Sequence, residues 1–149
     1  MATTLTHDWL QTYPAELRRV LRQVAHRTGQ PMYVAGGPVR DWLLGVAAKD
    51  LDFTVPVGAI ACAREIGTLL GGTFVLLDAG EDVARVVWRG FTLDFSGFRN
   101  RTTTIEDDLG QRDFTVNAMA VPLDPGTGGL AALTVIDPQG GMADLAQKR

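Results

Sequence analysis

The stretch Met32-Tyr33-Val34-Ala35-Gly36-Gly37-Pro38-Val39-Arg40-Asp41-Trp42-Leu43-Leu44-Gly45, followed four residues later by Asp50-Leu51-Asp52-Phe53-Thr54-Val55, decides the fold. Residues 32–35 form an apolar run that reads as a short buried strand, and it leads directly into two glycines. Pro38 suits the first turn of a helix, so a helix over 39–44 follows and Gly45 stops it. Residues 51–55 read as a second strand. A strand, a glycine turn, a helix and a second strand within 24 residues point to a layered α and β domain.

Outward from that segment, Pro14 opens a helix whose Leu17, Val20, Leu21 and Val24 recur at helical spacing, and Gly29 ends it. Residues 60–70 read as a helix closed by Gly71-Gly72. Three β-rich pieces follow at 73–77, 83–88 and 91–95, the last two forming a hairpin across Arg89-Gly90. The polar stretch 99–111 reads as an exposed loop, followed by a helix around 113–119, a strand ending near Leu123, a strand around 133–136 and a final amphipathic segment from Met142. The expected class is α/β (α+β), one domain with a mixed sheet.

The chain has 149 residues, 46% hydrophobic and 21% charged, which supplies enough apolar material for a packed core and excludes a disordered chain. No apolar run approaches the roughly 20 residues of a membrane-spanning helix, and the N-terminus lacks the pattern of a secretory signal. A cytoplasmic protein with no membrane partner is expected. The single cysteine, Cys62, excludes a disulfide framework and reads as a small buried helix residue. A net charge of -3 argues against a broad basic grip on nucleic acid, but not against an enzyme acting on a nucleotide.

Three groups of residues carry chemistry. Gly36-Gly37 lets backbone approach a phosphate and Arg40 can fork onto its oxygens, although by itself such a pair is more often a tight turn. Neither of the familiar phosphate-loop patterns is present. Asp50 and Asp52 stand at i and i+2 of a strand and so share a face, with Leu51 turned to the core. Two adjacent carboxylates suit Mg²⁺, or they are a solvated strand end; Asp94, between apolar neighbours, is a third acid that would complete a two-metal site. Asp113 and Asn117, four apart on a helix, could bond ribose hydroxyls while Arg112 meets phosphate, or serve as a helix cap and a surface amide.

In this order, GGPVRDWLLG (36–45), DLD (50–52), DLGQRDFTVNAMA (108–120) and DPQGGMADL (137–145) resemble the catalytic head of the class II tRNA nucleotidyltransferase (CCA-adding enzyme) and bacterial poly(A) polymerase family, over residues 32–149. The resemblance implies a nucleotidyltransferase (polymerase-β-like) fold, with a mixed, mostly antiparallel sheet flanked by helices. It divides the chain into an N-terminal helix (1–30) and a head domain (31–149), with the neck, body and tail domains of such enzymes absent. It implies transfer of CMP or AMP from CTP or ATP to an RNA 3′ end, that of tRNA, with Mg²⁺ as a two-ion cofactor. By position, Asp50 and Asp52 match the metal ligands and Asp94 a third catalytic acid. Gly36, Gly37, Arg40, Arg112, Asp113 and Asn117 match the nucleotide-binding residues, and 137–145 matches a hinge motif.

Two departures stand out. Gln111 precedes Arg112 where the family commonly has two arginines, and the helical neck in which the family carries its Glu-Asp-x-x-Arg template for choosing the base is expected beyond Arg149. A poly(A) polymerase head and a non-catalytic nucleotide-binding module therefore remain the alternatives to CCA addition.

Overall fold

The computed structural model describes residues 2–4, 12–99, 102–111, 118–123 and 134–148. In chain order these form β1 (Ala2–Thr4), α1 (Ala15–Thr28), β2 (Met32–Ala35), α2 (Gly37–Leu43), β3 (Asp50–Val55), α3 (Ala59–Leu70), β4 (Thr73–Asp78), β5 (Val83–Trp88), β6 (Phe91–Gly97), α4 (Ile105–Leu109), β7 (Ala120–Leu123), β8 (Thr134–Ile136) and α5 (Gly141–Lys148). The strands make one sheet in the order β1-β8-β7-β2-β3-β6-β5-β4. Its described pairings are antiparallel except that of β3 with β6, so the expected mixed, mostly antiparallel sheet with flanking helices is what the chain forms.

Strand alternation sorts the two faces. Leu51, Phe53 and Val55 of β3, Leu93 and Phe95 of β6, and Ala84, Val86 and Trp88 of β5 are buried with Leu17, Val20, Leu21 and Val24 of α1 and Cys62, Ala63 and Ile66 of α3. Phe53 and Phe95 stack across the parallel pair with centroids 4.9 Å apart. Each such large side chain stabilises the fold by about 1.5–3 kcal/mol relative to exposure. Because side chains alternate, Asp50, Asp52 and Thr54, with Thr92, Asp94 and Ser96 beside them, project from the opposite face. That face is free of α1 and α3 and carries the candidate site.

Two connections fix the geometry around it. Arg89 and Gly90, at φ 47° and 82°, form a two-residue turn of the kind that matches the twist of a hairpin. The turn sets Trp88 opposite Phe91, and that register brings Arg85 opposite Asp94. In the β4–β5 turn, Asp82 adopts φ 57°. Its carboxylate accepts from the Ala59 and Ile60 N–H groups at the start of α3, at 2.9 and 3.0 Å. A Cβ on Gly97 would lie 2.6 Å from Asp82 Oδ2. Gly97→Ala is therefore expected to push Asp82 off the helix start and cost about 1–3 kcal/mol, read as a lowered thermal midpoint.

The structure differs from the sequence reading in two places. The segment 99–111, expected as an exposed loop, contains α4 with Ile105, Asp108 and Leu109 buried. Thr104 caps it by accepting from the Asp107 N–H at 3.1 Å, and the acidic triplet sits in the first turn, where negative charge favours a helix. Ile105 and Leu109, one turn apart, pack with Ala35, Ala118 and Ala120 in a second small cluster on the acidic face. Residues 1–30 also hold more than a helix, since β1 pairs with β8 at a sheet edge. The expected helix around 113–119 lies largely outside the described residues. No helix among the described residues is long and apolar enough to cross a membrane.

Candidate active site

β3 and β6 run parallel and in register, with Asp52 opposite Asp94 and Asp50 opposite Thr92. Neighbouring strands lie about 4.8 Å apart, so the carboxylates of Asp52 and Asp94 leave the sheet side by side. Asp50 is exposed and Asp52 is half-buried, on either side of the fully buried Leu51. The i, i+2 placement of the two acids on one face is as the sequence indicates.

A third strand adds a cation to this row. Arg85 of β5 donates from Nε to Asp94 Oδ1 at 2.7 Å and from Nη2 to Asp94 Oδ2 at 3.1 Å, a two-pronged pair. Its guanidinium is held protonated more firmly than usual, first by the hydrogen bond to Asp94 and the charge of Asp94, and further by the charges of Asp50 and Asp52. Asp94 is thus turned to Arg85. Among the described residues no three carboxylate, His or Cys side chains converge as a ready-made metal cluster.

Asp52 and Asp94 open onto a cavity of about 1040 Å³, floored by these two with Thr54 and Ser96 and walled by Thr102 and Gln111. Its size is ample for a small-molecule ligand. Thr102 Oγ1 is buried and has no hydrogen-bond partner among the described residues. The wall is anchored by Asp108, fully buried, whose Oδ1 accepts from the Arg99 N–H at 2.6 Å.

Gly36 and Gly37 follow β2, whose register of Val34 with Phe53 carries the strand end alongside Asp52. Gly36 has φ 78° and ψ -137°, a conformation that needs glycine, and its N–H donates to Met119 O at 3.0 Å. Arg40 folds back so that Nη2 would be 3.3 Å from a Cβ at Gly37, and its Nε and Nη2 donate to Asp41 Oδ1 at 3.2 and 3.1 Å. Gly36, Gly37 and Arg40 are not among the described residues lining the cavity. Arg112, Asp113 and Asn117 lie outside the described residues. Their flanks do not: Gln111 lines the cavity, and Met119 is bonded to Gly36. The last motif begins with Asp137, whose carboxylate accepts from the Gly141 and Met142 N–H groups at 2.6 and 2.9 Å and so caps α5.

The family model for the poly A polymerase head domain matches residues 32–149. The chain belongs to that family. A CC-adding tRNA nucleotidyltransferase of Geobacter sulfurreducens is 36% identical to this head domain over 146 residues, covering 97% of the chain and 32% of the relative. An A-adding tRNA nucleotidyltransferase of Halalkalibacterium halodurans is 33% identical over 160 residues, covering 97% and 35%. Among solved structures, a CCA-adding enzyme in complex with CTP matches with a TM-score of 0.81 and 31% identity, covering 98% of this chain and 36% of that one. The head domain spans about a third of the length of the curated relatives it matches.

Three parts of the head lie outside the sequence motifs: Arg85, the Asp82–Gly97 contact, and Thr102. Only the first left a usable signal, because a two-residue hairpin turn at Arg89-Gly90 already implies that Arg85 faces Asp94.

Proposed function

We propose that this head domain transfers CMP or AMP from CTP or ATP to the 3′ end of tRNA, releasing pyrophosphate. The observation that carries the reading is the row of Asp50, Asp52 and Asp94 on one sheet face, the last two open to a cavity, in a chain of this family. The Geobacter and Halalkalibacterium relatives are tRNA nucleotidyltransferases, which supports tRNA as the acceptor over a poly(A) tail. A cytoplasmic location fits that role.

The donor set fits Mg²⁺, because Asp50 and Asp52 offer hard oxygen ligands side by side, and this ion is commonly held by one or two carboxylates plus substrate phosphate. Bound there, Mg²⁺ would supply Lewis-acid activation of the attacking hydroxyl and charge neutralisation on the triphosphate. The protein's own part is positioning. Asp50 and Asp52 fix the reacting end of the nucleotide over β3, and the Gly36-Gly37 turn leaves room for phosphate beside it. Arg40 and Arg112 match the charge that develops on the leaving pyrophosphate, and Asp113 and Asn117 hold the ribose.

The direct test is thermal unfolding of the chain with Mg²⁺ and each of CTP, ATP, GTP and UTP. CTP, ATP or both raise the midpoint in a concentration-dependent way, as any ligand confined to the folded state must. No shift with any of the four overturns the reading. Incubation with labelled CTP and ATP then separates acceptors, since one or a few nucleotides on tRNA lacking its 3′ end supports tRNA repair and a long adenylate tail on any RNA supports poly(A) synthesis.

A further inference from the structure

Arg85, paired with Asp94, places a cation within the acidic row of the described residues, and the motifs do not account for it. Three carboxylates on neighbouring positions of two in-register strands repel one another. Arg85 lowers that repulsion by sitting opposite Asp94 on β5, with Asp50 and Asp52 also within reach of its charge. Both oxygens of Asp94 accept from the guanidinium in fork geometry, at 2.7 and 3.1 Å. A carboxylate held this way has to release or share a charge-assisted bond before it can ligate a metal ion, and an approaching divalent cation meets the positive charge of Arg85.

We propose that Arg85 is a positioning residue which occupies Asp94 in the nucleotide-free head and so withholds that carboxylate from metal ligation. The ion is then held weakly until a polyphosphate comes with it. This rests on the metal reading of Asp50 and Asp52 made above, and it assigns Asp94 to fixing the local field rather than to ligation in the resting state. A triphosphate brings negative charge that offsets the repulsion from Arg85, so the metal and nucleotide enter as one complex. Without the guanidinium, Asp94 is free to turn toward Asp52 and complete a three-carboxylate site.

The probe is Mn²⁺ binding to the chain without nucleotide, followed by electron paramagnetic resonance of the free ion, with thermal unfolding as a check that each variant is folded. Arg85→Met is expected to tighten Mn²⁺ binding tenfold or more, and Arg85→Lys, which keeps the charge but not the two-pronged bond, falls between it and the wild type. Asp94→Asn changes binding less than threefold, and adding Asp94→Asn to Arg85→Met removes the gain. Asp52→Asn weakens binding more than tenfold. Unchanged or weaker binding in Arg85→Met, together with a loss in Asp52→Asn, overturns the proposal alone. A loss in Asp94→Asn as large as that in Asp52→Asn also overturns it, since Asp94 would then be a ligand from the start. No loss in Asp52→Asn overturns the metal reading on which it rests.

Discussion

Asp52→Asn is expected to reduce nucleotidyl transfer at least about a thousandfold, about 4 kcal/mol of lost transition-state stabilisation, while leaving the fold intact. The asparagine keeps the shape of the side chain and removes one of the two charges that suit a divalent ion. The half-buried position and the neighbouring Asp94 explain why stability survives: deleting one of two in-register negative charges relieves repulsion, which offsets any hydrogen bond lost. The thermal midpoint should therefore stay level or rise slightly while incorporation of labelled CMP or AMP into tRNA disappears. Asp50→Asn, one residue beyond the buried Leu51 on the same face, is expected to behave in the same way. Transfer retained in both variants would sink the assignment of catalysis to this face of β3.

What the sequence made legible follows from how local the governing rule is. The pairing of Asp50 with Asp52 needs only the two-residue period of a strand, and the Gly36-Gly37 turn needs only the order strand, glycines, helix. The placement of Asp94 beside Asp52 depends on a parallel pairing reached through α3, β4 and β5, and no local pattern encodes that register. The apolar neighbours of Asp94 mark it as a candidate third acid, and the family motifs place it there, but its register with Asp52 is read only from the structure. The stretch 99–111 reads as a loop because its polar composition outweighs two apolar residues, Ile105 and Leu109, whose one-turn spacing is the mark of a buried helix face. Thr104 and the acidic triplet also compose a helix start, so the signal was present and was overridden by composition.

Tyr13→Phe carries the second large effect, on stability. The phenol lies just before α1 and is buried, with its O–H donating to Ala48 O at 2.5 Å while its oxygen accepts from Ala48 N–H at 3.2 Å and from Trp42 Nε1 at 3.1 Å. One hydroxyl thus ties α2, which follows the glycine turn, to the residue two positions before Asp50. Removing it leaves a carbonyl, an amide and an indole N–H buried without that partner, a cost of about 3 kcal/mol. For a domain of this length that lowers the thermal midpoint by about 10 °C. Tyr33→Phe, on a half-buried tyrosine, is the contrast and should shift the midpoint far less. The pH dependence gives an independent check. Burial, working against the hydrogen bonds that lower it, pushes the Tyr13 phenol above its ordinary value of 10.0. The folded state therefore holds the proton more tightly than the unfolded chain, so this contribution is complete below pH 10 and is lost as the pH climbs through the raised value. Tyr13→Phe should remove that part of the alkaline loss of stability. The same hydroxyl sets where β3 begins relative to α2, so the variant should also raise the KM for CTP or ATP more than it lowers kcat, and equal changes in both would show that Tyr13 supports only the core.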